Sequence, residues 1–370
     1  MAGLSPQRTW RIVHSEASLG WGGQEHRILA ELTGFQKRGS KVWLLAPHDA
    51  HVRARAEAAG ISTAPLHDAK WRYPFEVLRL ACWLRRIRPD VLNTHSSRDG
   101  WLVGMAGRLA RVPFIVRTRH FDVPVPNPAL SRHVYATLAD HLITTSPKVT
   151  ADFRTLFRLP EDRVTTIPTG VDVAKFSPKG STAEFEFPVG ATGPLVGIVG
   201  VIRYAKGHAV LFEAMKQLGE QGLPVRCVVV GDSTNRAGLE RRVVELGLSN
   251  RVLFVGLRDD VPAILRALDV LAIPSLHEAI PQVGLQALAC EVPVIGSDVG
   301  GIPQIIRPNE TGRLFSSGNA AALATAIRET FAQAAETRRM ALAGRRLVVE
   351  NHSLEGMLDT IEGIYRQRLG

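Results

Sequence analysis

The chain has 370 residues, 45% of them apolar and 22% charged. That is too long for one ordinary core and about right for two. Its apolar runs are short and broken by Gly, Pro or charge, which excludes a membrane-spanning helix of roughly 20 residues. The opening MAGLSPQRTWRIVHS has no long apolar core after a basic start, so no signal peptide is predicted.

The net charge of +10 is carried wholly by residues 1–178, which hold 25 Lys and Arg against 15 Asp and Glu, while residues 179–370 hold 20 of each. Such a basic half suits an anionic partner: a phosphorylated substrate, a membrane surface or nucleic acid. The alternative is a set of arginine-rich helices with solvated outer faces. Cys82, Cys227 and Cys290 lie in apolar stretches without metal-ligand spacing. They read as buried thiols in a reducing cytoplasm.

Along the first half, WRIVHS, KVWLLAP, PDVLNTHS, PFIVRTRH, DHLITTSP and DRVTTIPTG read as strands. Amphipathic stretches such as HRILAELTGFQKRG and FEVLRLACWLRRIR lie between them. Alternation of this kind predicts a parallel sheet covered by helices. SPKGSTAEFEFPVGATGP, residues 177–194, breaks the pattern and reads as a linker. A second alternation follows: LVGIVGVI, VRCVVVGDS, RVLFVG, DVLAIPS and PVIGSDV. The prediction is α/β: two doubly wound Rossmann-like domains, 1–178 and 179–355, with a site in the cleft where their strand ends face each other. Residues 356–370 form a last amphipathic helix.

Several stretches carry candidate chemistry. SLGWGGQEHR follows the first strand, and Gly22 and Gly23 allow close backbone approach at a helix N-terminus. It has neither GxGxxG nor GxxxxGK[ST] spacing, and a plain strand-to-helix turn explains it equally. In GIVGVIRYAKGHAVLFEAM, Arg203 and Lys206 stand between a strand and its helix, where a guanidinium fork and a point charge suit a diphosphate. His120 ends the strand PFIVRTRH beside Arg117 and Arg119, placed to bond a sugar or phosphate; a structural histidine is the alternative, and His14 and His95 end strands too.

In SLHEAIPQVGLQALAC, Pro281 suits the first turn of a helix. Glu278 precedes that helix, either as a cap or as a group orienting a ligand against the N–H groups of Gln282, Val283 and Gly284. Gln286 lies deeper along it. GSDVGGIPQII places Gly300 and Gly301 in another close-approach loop. RDDVP reads as a helix cap at Asp259 and Asp260, and no metal-ligand motif is present in the sequence. WRYPFEVLRLACWLRRIR sets aromatics beside arginines, which suits an anionic membrane surface; a core helix with a solvated arginine face is the alternative.

Together these motifs resemble the retaining glycosyltransferases of the GT-B fold, family 4 type, nearly end to end. GLRDDVPAILRALDVLAIPSLHEAIPQVGLQALACEVPVIGSDVGGIPQII looks like that family's donor-binding block. Its pattern is Glu, seven residues, Glu, with the first at the sugar and the second on the ribose hydroxyls. Here these positions are Glu278 and Gln286. AKGH is similar to the lysine–glycine loop and implies that Lys206 meets the diphosphate. Arg203 resembles its arginine partner, although many members carry that arginine where this chain has Val201. GWGGQEHR looks like the first-domain glycine loop facing phosphate and acceptor. His120 falls at the family's active-site histidine, and TIPTGVD has Thr169 in place of an Asn. Gln304 stands where many members have Glu.

The resemblance implies a nucleotide diphosphate sugar as donor, no metal or other cofactor, and a glycan or glycolipid acceptor, phosphorylated in keeping with the basic half. It implies cell-envelope glycan synthesis, such as lipopolysaccharide, at the inner face of the cytoplasmic membrane. Replacing a ribose-binding carboxylate by Gln286 costs on the order of 1 kcal/mol, roughly tenfold in affinity. Gln286 therefore reads as a variant of a working site. The rivals are a non-catalytic scaffold with a decayed donor site and a nucleotide-sugar epimerase of the same fold. No stacking platform or known module points to nucleic acid.

Overall fold

The computed structural model describes residues 8–67, 73–120, 125 and 127–370. Two compact units divide it: residues 1–170 with 354–370, and residues 171–353. Both are parallel α/β sheets.

In the first unit the strands are β1 (Arg11–Ser15), β2 (Lys41–Ala46), β3 (Ser62–Pro65), β4 (Val91–Thr94), β5 (Phe114–Arg119), β6 (His141–Thr144) and β7 (Val164–Thr166). Their order is β3-β2-β1-β4-β5-β6-β7. In the second unit β8 (Leu195–Val199), β9 (Arg226–Val230), β10 (Val252–Gly256), β11 (Val270–Ile273), β12 (Val294–Ser297) and β13 (Arg313–Phe315) run in the order β10-β9-β8-β11-β12-β13. Each sheet reverses its winding beside its first strand, between β1 and β4 and between β8 and β11. In open α/β sheets that reversal opens a crevice at the strands' carboxyl ends.

Alternation within the strands explains why helices cover both faces. Ile12, Leu44, Val91 and Phe114 enter one core, while their neighbours Val13, Leu45, Leu92 and Ile115 enter another. In the second unit Val196, Val229 and Val270 face one core and Leu195, Val228 and Leu271 the opposite one. Successive side chains of a strand point to opposite faces, so near-continuous apolar runs are what a sheet buried on both sides requires.

The boundary comes earlier than the composition break predicts. Val171 and Phe176 are already buried in a second-unit core, and Phe185 and Phe187 pack against it. The stretch expected as a linker is strapped to the helix Val261–Ala267. Ala183 N donates to Ala263 O at 2.9 Å, and Arg266 donates to Ser181 O at 2.7 Å and Ser177 O at 3.2 Å. The RDDVP cap also differs: Asp260 takes both guanidinium bonds of Arg258, at 2.7 and 2.6 Å, and makes no side-chain cap. Cys227 and Cys290 are buried, but Cys82 is exposed. It shares the outer face of the helix Tyr73–Ile87 with Phe75 and Leu78, whereas Leu80, Ala81 and Leu84 point inward. Trp71 and Arg72 lie outside the described residues.

The last helix, Leu354–Leu369, completes the first unit's core with Met357, Leu358, Ile361, Ile364 and Tyr365. The Tyr365 ring meets Trp10 edge-on at 5.9 Å and stacks on Phe35 at 5.7 Å. Its hydroxyl is buried and finds no protein partner. Arg38 binds this helix through Asp359 at 2.8 Å and Glu362 at 3.2 Å. Tyr365→Ala is expected to lower unfolding free energy by about 3–5 kcal/mol, read from the urea transition. Tyr365→Phe, which removes an unsatisfied hydroxyl, should leave that transition unchanged or raise it. A loss on the Phe variant as large as on the Ala variant would contradict this packing account.

Candidate active site

The second unit's switch point gathers the charged residues singled out by the sequence. The chain leaves β8 at Val199, turns through Gly200–Arg203 and a short 3-10 turn, Tyr204–Lys206, and enters the helix His208–Glu220. From β11 it runs through Pro274–Glu278 toward the helix Gln282–Ala289. Lys206 Nζ and Glu278 Oε2 meet at 2.5 Å, half-buried, across that reversal. Ser275 Oγ donates to the same carboxylate oxygen at 3.2 Å. Ser275 is itself fixed, since its carbonyl accepts from Ser297 Oγ at 2.5 Å and Ser317 Oγ at 3.3 Å.

Two glycines let the loops approach. Gly207 has φ +68°, and a Cβ there would lie 1.8 Å from Pro274 O. Gly300 has φ +56°, and a Cβ there would lie 1.7 Å from Glu278 O. Leu276 N donates to Ala205 O at 2.7 Å, and Gly301 N to Ala279 O at 2.8 Å. Loops after three adjacent strands thus lock together around the Lys206–Glu278 pair. Any side chain at either glycine would force them apart.

The geometry excludes one reading of Glu278. It does not cap the following helix, which has no side-chain cap and begins with Gly284 N on Pro281 O at 3.0 Å. Pro281 is the N-cap rather than a residue of the first turn. Gln282 and Val283 are half-buried and Gly284 is buried in that turn. Gln286 is half-buried on a helix whose Leu285, Ala287, Leu288 and Ala289 are buried. Arg203 is exposed at the start of the 3-10 turn and Gln304 is exposed, whereas Lys206 is held by a carboxylate. Next to it His208 is buried, and burial and then Lys206 hold its pKa down to about 4.

The first unit places Gly22 at the N-cap and Gly23 at the start of the helix Gly23–Lys37. The glycine loop is not a bare set of donors, because Gly22 N donates to Glu25 Oε2 at 2.8 Å. Glu16 is fully buried beside it. Burial, and then Asp99, raise its carboxyl from 4.5 to about 8. Asp99 accepts from Ser15 Oγ at 2.6 Å and from His95 N at 2.8 Å, and Arg117 lies 3.7 Å from it. Thr169 accepts from Arg27 at 3.4 Å.

His120 is not isolated. Its Nε2 lies 2.8 Å from His95 Nδ1, and His95 Nε2 lies 2.9 Å from His14 Nδ1. Burial, aided by Arg27 and Arg117, holds the pKa values of His95 and His120 well below the usual histidine value. Burial likewise brings His14 down to about 4. All three rings are neutral near pH 7. The sequence marked His14 and His95 only as further strand ends and passed over Glu16, Asp99 and Ser275. The pairs VHS and THS, ending neighbouring strands, were the available signal for the first two.

Fold and site define a protein of two Rossmann-like units with a held lysine–carboxylate pair at the second unit's switch point. The comparisons name its kind. Residues 182–347 match the family model "Glycosyl transferases group 1", and residues 21–175 match "Glycosyltransferase Family 4". A 2-deoxystreptamine N-acetyl-D-glucosaminyltransferase of Streptomyces fradiae is 30% identical over 72% of this chain and 69% of its own length. The D-inositol 3-phosphate glycosyltransferase of Nocardia farcinica (strain IFM 10152) is 28% identical over 73% of this chain and 66% of its own. The crystal structure of Anabaena Alr3699/HepE in complex with UDP and glucose has a TM-score of 0.81 at 19% identity, covering 97% of this chain and 100% of that one. The chain belongs to the group 1, family 4 glycosyltransferases and has the GT-B fold.

Glu16 yields a pH signature. Its folded pKa is above its unfolded one, so its contribution to stability is full below 4.5 and is lost as pH rises through about 8. Glu16→Gln is expected to flatten the fall in melting temperature across that window. An unchanged slope would show that Glu16 ionises as readily in the folded chain as in the unfolded one.

Proposed function

We propose that this glycosyltransferase moves a hexosyl group from a nucleotide diphosphate sugar to a hydroxyl of a glycan or glycolipid acceptor, with retention of configuration and without a metal. The observation that carries the proposal is the Lys206–Glu278 pair, held at the second unit's switch point by three loops. Lys206 meets the diphosphate, and the exposed Arg203 adds a second cation once ligand is present. Side-chain cations then offset the charge of the departing diphosphate, the role a metal fills elsewhere. Glu278 orients the lysine and accepts from the sugar. Gln282 and Val283 offer N–H groups to the polar ligand, while the Gly284 N–H is taken by Pro281 O, and Gln286 binds the ribose hydroxyls, accepting one bond and donating one.

In the transfer, the acceptor oxygen attacks the anomeric carbon on the face the diphosphate leaves. The bond from that carbon to the phosphate oxygen breaks, and its electron pair stays on the oxygen. That oxygen takes the acceptor's proton. No enzymic nucleophile is needed, and His120 binds close to the reacting centre. We assign Gly22 and Gly23 to the acceptor side.

The UDP and glucose in the Anabaena structure favour UDP-glucose as the first donor to try. The phosphate in the name of the Nocardia relative's acceptor fits the basic first half. We place the enzyme in lipopolysaccharide or other cell-envelope glycan synthesis, at the cytoplasmic membrane's inner face. Among the described residues no helix is long and apolar enough to cross a membrane. The helix Tyr73–Ile87 instead exposes Phe75 and Leu78 beside Arg85 and Arg86, a surface that suits anionic lipid.

The test is a donor–acceptor screen with the product's anomeric configuration read by NMR; an inverted product overturns the mechanism, and donor conversion without acceptor favours the epimerase. Lys206→Ala is expected to cut turnover by about 10²–10³-fold with the circular-dichroism melt retained. Near-normal turnover would remove Lys206 from its role. Phe75→Ser with Leu78→Ser should abolish co-sedimentation with anionic liposomes, and wild-type sedimentation indifferent to anionic lipid would end the membrane reading.

A further inference from the structure

The three buried imidazoles of the first unit form one hydrogen-bonded chain, and its direction can be worked out. Each neutral ring carries one N–H. His95 uses both nitrogens, Nδ1 toward His120 at 2.8 Å and Nε2 toward His14 at 2.9 Å. It therefore donates once and accepts once, and both bonds must point the same way. Exposure rises along the chain from 0% at His14 to 2% at His95 and 8% at His120, so the chain runs from core to surface.

Pointing inward, the chain would leave His14 with its proton on Nε2, a buried atom with no partner in the protein. It would also put an unprotonated nitrogen, His14 Nδ1, 4.0 Å from the Glu31 carboxylate, whose Oε2 is likewise without a hydrogen-bond partner. Pointing outward, Nδ1 of His14 carries the proton. That N–H is donated to His95 Nε2, with the Glu31 carboxylate 4.0 Å from the same nitrogen as an electrostatic and not a hydrogen-bonded neighbour, and the atom left over, His14 Nε2, is an acceptor. Buried orphan acceptors are tolerated more often than buried orphan donors. Glu31 is held in place by Arg27 at 2.7 Å, and Arg27 is anchored to Ile167 O at 2.8 Å. The charged groups around the chain are Glu31, Arg27, Arg117, Arg119 and Asp99, which accepts from His95 N, and burial first and then the arginines keep a second proton off the rings.

We propose that Glu31 and His14, acting through His95, hold His120 in the tautomer protonated at Nδ1, so that His120 presents a fixed N–H donor to an oxygen of the bound substrate. Glu31, His14 and His95 are positioning residues, and the substrate contact itself rests on the function proposed above. Histidine in water favours the Nε2–H form, so the assignment is of the less common tautomer. A donor set in advance recognises a hydroxyl or phosphate oxygen and rejects a group that must itself donate.

The test is a long-range 1H–15N correlation spectrum of the full chain labelled at histidine, assigned by single His→Gln variants. His14, His95 and His120 are each expected as the Nδ1–H form, unchanged as pH crosses the usual histidine value of about 6.5. An Nε2–H form or a tautomer mixture at His120 overturns the proposal. His14→Phe keeps a ring in the core while removing the anchor. It should shift His120 toward Nε2–H and lower kcat by about tenfold to a hundredfold, with KM for the donor little changed. An unshifted His120 in the folded variant shows that His14 does not set the tautomer. The spectrum needs no substrate. Failure to find transferase activity would therefore count against the proposed function alone, whereas Nε2–H at His120 in an active enzyme would count against this inference alone.

Discussion

The contact between Lys206 and Glu278 is the constraint around which the second unit is arranged. A lysine and a carboxylate placed half out of water gain by meeting only if their backbones are held, because the pair otherwise costs side-chain entropy. Here the holding is done by backbone. Two glycines in the left-handed region let the loops after β8, β11 and β12 touch at distances no side chain permits. Ser275, buried and fixed by Ser297 and Ser317, supplies the remaining hydrogen bond. A site built this way keeps its cation in place before any ligand arrives, so the diphosphate binding proposed for it would need little reorganisation.

The first unit uses a different device. Its strand ends bury three imidazoles and two carboxyl groups, Glu16 and Asp99, next to arginines. Burial strips the histidines of charge and keeps Glu16 protonated near neutral pH. The three imidazoles and Glu16 thus form a set of oriented, uncharged donors and acceptors in the basic half of the chain.

Much of this was legible in the sequence, for reasons that can be named. Strands such as RIVHS and RCVVV alternate between two cores, so their apolar runs announce a sheet buried on both faces. β3, with the sequence STAP, and β13, with RLF, are short edge strands with little apolar signal, and neither was predicted. The pairing of Lys206 with Glu278 could not be read either, since residues 72 positions apart meet only through topology. The same holds for the histidine chain, where His14, His95 and His120 come from three strands. The expected linker misled because Gly, Pro and Ser content reports a lack of regular structure, not a lack of packing. Phe185 and Phe187 were the residues that betrayed it.

The central claim is that the Lys206–Glu278 pair marks a nucleoside diphosphate site in which Gln286 replaces a carboxylate without loss of function. Calorimetric titration of the full chain with UDP, GDP, ADP and CMP, without metal, tests it most directly, with Lys206→Ala and Gln286→Glu alongside. The account predicts that one diphosphate binds the wild type, that Lys206→Ala loses most of that affinity, and that Gln286→Glu changes it by about tenfold or less. Binding by the Gln286→Glu variant alone, or by none of the proteins, would contradict it.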